Sequence, residues 1–153
     1  MYEDQMDIAF AGMKADSGAD RVESFPVGAD TLGFGLVTGT DSSGLLVAGA
    51  GTKVRGITVH SHAVKNSTYV KTECASVMTR GLIWARVTAG EDVTEDGQVT
   101  FAAAGTVSDD DANTLANAVF RSGKVSTSQY GDIALVELHN PFSETDTVDS
   151  GND

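Results

Sequence analysis

The sharpest chemical feature of the sequence is His60-Ser61-His62. On a strand, residues two apart share a face, so both imidazoles could reach one metal ion. A third ligand would have to come from His139, Cys74 or a distant acid, and no spacing in the chain supplies it. The alternative is a polar strand end whose ring nitrogens are satisfied by backbone or acids. Cys74 is the single cysteine, so it forms no intrachain disulfide. Nothing in its neighbourhood marks it as an activated nucleophile, and a lone cysteine commonly serves as a small apolar residue. No Gly-x-Ser-x-Gly elbow occurs. Gly49-Ala50-Gly51-Thr52-Lys53 lacks the four-residue spacer of a phosphate loop and is expected to be a turn. Glu91 and Asp92, and the run Asp109, Asp110 and Asp111, fall in polar turns without the register of a calcium loop. The residues therefore point to a protein without an active site, cofactor or metal.

The elements that would carry such groups read as strands. The stretch from Ser76 to Thr88 is rich in residues that favour a pleated, half-buried backbone and holds the only tryptophan, Trp84. Arg80-Gly81 is expected to mark a bend or bulge within it. Beyond it, Leu82, Trp84 and Arg86 share one face, and Ile83, Ala85 and Val87 the other. Both faces are largely apolar. The reading is a central strand with one face in the core and the other against a second sheet or a partner chain. Ile133 to His139 repeats this two-sided pattern.

With 153 residues, 17 glycines and 2 prolines, the chain is expected to be one all-β domain: a β-sandwich, jelly roll or small barrel. Further strands are expected around Val22 to Val27, Leu32 to Thr38, Leu45 to Ala48, Val54 to His60, Tyr69 to Met78, Gln98 to Ala102 and Ala118 to Thr127. A polar loop, or one helical turn to Ala116, follows the three aspartates. Residues 1–20 read as an N-terminal arm, hinged at Ser17-Gly18-Ala19. Its apolar residues Met6, Ile8, Phe10 and Met13 are enough to dock but too few to fold alone. Residues 21–142 form the β domain and 143–153 an acidic tail whose composition is that of a disordered segment.

Ten basic against 22 acidic residues give a net charge of −12. That disfavours nucleic acid and anionic membranes as partners. It suits a soluble surface or a basic partner. The opening residues are acidic, unlike a secretory signal, and a reducing cytoplasm is the expected folding compartment.

Several stretches together resemble the structural cement, or capsid decoration, proteins of tailed bacteriophages. They are Met-Tyr-Glu-Asp-Gln-Met at 1–6, Gly12-Met13-Lys14-Ala15-Asp16-Ser17-Gly18, Asp20-Arg21-Val22-Glu23-Ser24 and Gly56-Ile57-Thr58-Val59-His60-Ser61-His62. Further along are Met78-Thr79-Arg80-Gly81-Leu82-Ile83-Trp84, Ala118-Val119-Phe120-Arg121-Ser122 and Ile133-Ala134-Leu135-Val136-Glu137-Leu138-His139-Asn140-Pro141. The acidic tail and the three-aspartate loop lie outside the likeness. The resemblance implies a β-rich homo-dimer or homo-trimer without catalytic residues. It would be assembled in the bacterial cytoplasm and bound to the major capsid protein on the outer surface of the virion, reinforcing the shell against internal DNA pressure. The interface residues expected on this reading are Met6, Ile8, Phe10, Met13, Leu82, Trp84 and Arg86. Two alternatives remain at this point: a tail- or fibre-associated β-module, and a small ligand- or metal-binding barrel using His60 and His62.

Overall fold

The structure is a computed structural model and describes residues 11–28, 31–60, 68–71, 73–127, 131–141 and 143–144. These residues form strands and turns, with no helix among them. Two strands are long: β1 (Lys14–Pro26) and β7 (Cys74–Arg86). Between them lie β2 (Thr31–Gly33), β3 (Val37–Thr40), β4 (Leu46–Ala48), β5 (Lys53–Thr58) and β6 (Thr68–Val70). After β7 come β8 (Gln98–Phe101), β9 (Val107–Ser108), β10 (Asn113–Phe120), β11 (Val125–Thr127), β12 (Gly131–His139) and β13 (Ser143–Glu144).

The main antiparallel sheet runs β4-β3-β5-β7-β12-β10-β8-β9, with β1 added on β7, β11 on β12 and β13 on β5; β2 and β6 pair separately. It does not close into a barrel. Its turning point is β7. One edge of β7 carries β1, from Pro26↔Cys74 to Lys14↔Ile83. The other edge is shared: Met78 and Val77 pair with Ile57 and Thr58 of β5, and Arg80 to Arg86 pair with β12. The strands therefore divide into two groups that meet in β7, the way a strand passes from one layer of a sandwich to the other.

Several boundaries differ from the sequence reading. Residues 14–20, expected within a hinged arm, are the first half of β1, and Ser17-Gly18-Ala19 belongs to the strand. The reason is pairing on either side: Lys14 and Asp16 before it and Arg21 after it are in register with β7, and a free hinge would leave the edge of β7 bare. The anticipated strand from Leu32 to Thr38 breaks at Phe34 and Gly35, where the chain turns so that Phe34 is fully buried. Conversely, β7 runs unbroken through Gly81. The irregularity expected there involves both strands: Thr79 of β7 is passed over between Arg21↔Arg80 and Val22↔Met78, and residues Asp16 to Arg21 of β1 lie opposite only Leu82 to Arg80. Gly81 accommodates it with φ +127°, and a Cβ at that position would sit 2.8 Å from the Asp20 Cβ. Asn113 to Ala116 is strand and not a helical turn, because Leu115, Ala118 and Phe120 all enter the core. Their uneven spacing is absorbed by a bulge at Asn117, φ +54°. The Gln98 amide donates to the Leu115 carbonyl at 2.9 Å, satisfying a group that the bulge removes from the ladder. At the other end, the first two residues assigned to the acidic tail, Ser143 and Glu144, pair with Val54 and Lys53 of β5.

The principal core collects Val37, Ile57, Met78, Ile83, Ala85, Val99, Phe101, Leu115, Phe120, Val136 and Leu138 from both strand groups. A second cluster, with Phe34, Leu32, Leu46 and Tyr69, packs on Ala75 and Val77. Tyr69 closes it: its hydroxyl donates to the Val59 carbonyl at 2.8 Å, and burial raises the phenol pKa. The acidic turns are joints. Asp111 Oδ2 accepts from Thr88 Oγ1 and Ser108 Oγ, both at 2.8 Å, and Asp109 accepts from the amide and hydroxyl of Thr94.

Gly39 tests how tightly the first strand group is closed. A Cβ there would lie 1.9 Å from the Ala50 carbonyl oxygen, backbone that cannot move without disturbing the Gly49–Thr52 turn. Gly39→Ala is expected to destabilise by about 1–3 kcal/mol, the range of core overpacking. Gly123→Ala, with open space around it, should leave the midpoint of chemical denaturation unchanged.

Candidate functional site

On the second half of β7 the alternation is as the sequence indicates. Ile83, Ala85 and Val87 are buried in the core, and Leu82, Trp84 and Arg86 lie half-buried on the outer face. Register places Leu135 opposite Trp84, Glu137 opposite Leu82 and His139 opposite Arg80, so β12 continues that face.

Trp84 is covered by its own chain. The Gly12 amide donates to the Trp84 carbonyl at 2.7 Å, and the Trp84 amide donates to the Met13 carbonyl at 3.0 Å. Ala11, fully buried, forms a small third cluster with Ile133, against which Met13, Trp84 and Val125 pack. Residues 11–13 are thus packed into the domain. Met6, Ile8 and Phe10 lie outside the described residues. Arg86 is tied into its own chain: its Nε donates to the Phe34 carbonyl at 2.7 Å and its amide to the Gly35 carbonyl at 2.9 Å, holding the bend between β2 and β3.

The other end of the outer face is charged. Arg121 Nη1 and His139 Nε2 each lie 2.6 Å from one oxygen of Glu137. These two hydrogen bonds, His139 first, lower the Glu137 pKa below the usual carboxylate range. Arg21 pairs with Glu23 at 3.0 Å. An open, shallow recess beside this cluster is lined by Gln98, Asn117, Ala118, Val119 and His139.

The remaining sequence candidates are scattered. The His60 ring packs on Phe34 with centroids 4.6 Å apart, and its amide donates to Gly12; His62 lies outside the described residues. His139 is engaged with Glu137. Cys74 is exposed at the end of β7 opposite Pro26. Among the described residues no three His, Cys, Asp or Glu side chains are grouped to hold a metal ion. Gly49 and Gly51, both at positive φ, form the turn between β4 and β5. Lys124 bridges the Glu91 carbonyl at 3.0 Å and the carboxylates of Asp92 and Asp132 at 3.6 Å. The residue that sequence reasoning missed is Arg121. It stood in the sequence within the family-like stretch Ala118 to Ser122, and its partner Glu137 is supplied by the fold.

Two measurements check this geometry. Trp84→Ala removes a half-buried indole from the Ala11–Met13 contact, and a loss of about 1–3 kcal/mol is expected, below that of a fully buried tryptophan. A thermal melt unchanged from wild type would place the N-terminal segment elsewhere. The Glu137 pKa is lower in the folded than in the unfolded chain. Its contribution is therefore fully present above the unfolded pKa and lost as pH falls through the depressed folded value. Glu137→Gln should lower the melting temperature most near neutral pH, and the difference should shrink as pH falls below the ordinary glutamate value of 4.5.

Comparison with known proteins follows the same lines. Among curated proteins there is no match. A chain in the solved capsid of Myoviridae phage XM1 superposes with a TM-score of 0.66 at 17% identity, over 86% of this chain and 90% of that one. At that identity the likeness speaks to the fold. The family of the structural cement protein (E217 gp24/Pam3 gp6) matches residues 1–139, which takes in β1 to β12. The match spans the core, the outer face of β7 and β12, and the Glu137 cluster, and by it this chain belongs to the structural cement proteins of phage capsids.

Proposed function

We propose that this chain binds the outer surface of an assembled capsid, contacts the major capsid protein there, and acts without catalysis to hold neighbouring capsid subunits together. The observation that carries this reading is the family match over residues 1–139. The domain supports it as a rigid clamp. Its long strands are paired on both edges of β7, and its loops are tied by side-chain hydrogen bonds, so little ordering cost remains to be met on docking. Two further points belong to the proposal: the active form is a homo-dimer or homo-trimer, and Met6, Ile8 and Phe10 take part in attachment. Burial of such side chains contributes roughly 1.5–3 kcal/mol each before ordering costs. Leu82 and the exposed part of Trp84 extend the contact; Met13 and Arg86 support it from within the chain.

Purified protein mixed with empty capsids that lack it should co-sediment to saturation and raise the temperature at which the shells rupture. A chain shortened by residues 2–10 should melt as a folded domain yet decorate poorly. Absence of co-sedimentation by the full chain would overturn the capsid reading; full decoration by the shortened chain would remove Met6, Ile8 and Phe10 from the contact.

A further inference from the structure

Arg80 occupies an unusual place. It is exposed and lies in register with Arg21 on β1 and with His139 on β12. Opposite residues on paired strands present their side chains on one face, so three adjacent strands set two guanidiniums and an imidazole abreast. Like charges directly opposite one another are destabilising. The chain has 22 acidic residues against 10 basic ones, so a carboxylate beside Arg80 would be the expected composition. Yet the nearby glutamates are spoken for. Glu23 is bound to Arg21, and Glu137 to Arg121 and His139. Arg80 makes no ion pair or side-chain hydrogen bond among the described residues. Half-buried Leu82, two residues on from Arg80, lies on the same face.

We propose that this row, Arg21–Arg80–His139 with Leu82 beside it, is the surface that meets the capsid, and that it receives a carboxylate-bearing strip of the major capsid protein. The inference rests on the capsid reading above and specifies the face and the partner's chemistry. Complementary charge selects the occupant. A nucleic acid would meet the repulsion of a chain carrying −12, and so would a second copy of the same chain. A local carboxylate strip on a large partner can reach the cationic row without facing the acidic turns.

The structure gives the test an opposed pair of readouts. Arg80→Glu removes the like-charge row, so the fold should melt at or above the wild-type temperature. Binding to empty capsids should nevertheless weaken at least about tenfold, with Arg80→Gln intermediate. Lys71→Glu is the control: it changes net charge by the same amount on an exposed turn after β6. Wild-type binding should weaken as salt rises, and that dependence should flatten in Arg80→Glu. Equal capsid binding by Arg80→Glu and wild type would overturn the assignment of this face, as would an equal loss in the Lys71→Glu control. An oligomer that dissociates on Arg80→Glu while capsid binding persists would overturn it too, giving the row to a contact between copies. Failure of the wild-type chain itself to bind would instead strike the capsid reading.

Discussion

Pairing along both edges of β7 is the constraint on which the rest of the structure depends. A strand's backbone groups must all be satisfied when buried, and β7 meets this by taking β1 along one edge and dividing the other between β5 and β12. That division creates the two strand groups. Their apolar faces then meet, so that Val37 of β3 and Phe101 of β8 share a core although they lie far apart in the sheet order. Register on β7 also decides which side chains stand outward together. Trp84 with Leu135, Leu82 with Glu137 and Arg80 with His139 are consequences of one antiparallel ladder.

Where the ladder is interrupted, side chains take over its hydrogen bonds. Gln98 serves the bulge in β10, Thr58 Oγ1 donates to the Gly33 carbonyl and accepts from the Leu36 amide at the bend between β2 and β3, and Asp111 ties the turns after β7 and β9. Gln98 and Thr58 replace lost backbone partners, and Asp111 links two hydroxyls, all at little entropic cost because the residues involved already sit on or beside strands. Polar residues that look like solubilising decoration in the sequence are here part of the scaffold. This bears on a cement protein, since a domain that deformed under load would transmit little force between its attachment points.

The outer face joins two chemistries. At one end the N-terminal segment lies over Trp84 and makes an apolar patch continuous with the domain. At the other, Arg21, Arg121 and His139 stand with Glu23 and Glu137, and Arg80 lies between them in register with Arg21 and His139. On the proposed reading, the acidic turns repel indiscriminate contacts and the row around Arg80 is where an acidic strip of the capsid docks. In this arrangement negative net charge works with specificity, because it leaves few surfaces on which association is favourable.

The sequence by itself determined the all-β class, the two-sided apolar character of β7 and β12, the inward face of Ile83, Ala85 and Val87, and the family. These follow from local composition and from the period-two alternation of strands, which any pairing partner must respect. What only the tertiary structure decided was which strand lies beside which. The continuity of β1 through Ser17-Gly18-Ala19 depends on β7, some sixty residues away in the chain. So do the register shifts on both strands around Arg80 and Gly81. Arg86 had the spacing of an outward interface residue, and its partner, the Phe34 carbonyl, became a partner only when the chain bent at Gly35. The row of Arg21, Arg80 and His139 draws on three distant segments, each unremarkable alone. Long-range register is a property of the ladder and not of any one strand, which is why the sequence carried the faces and the fold supplied the neighbours.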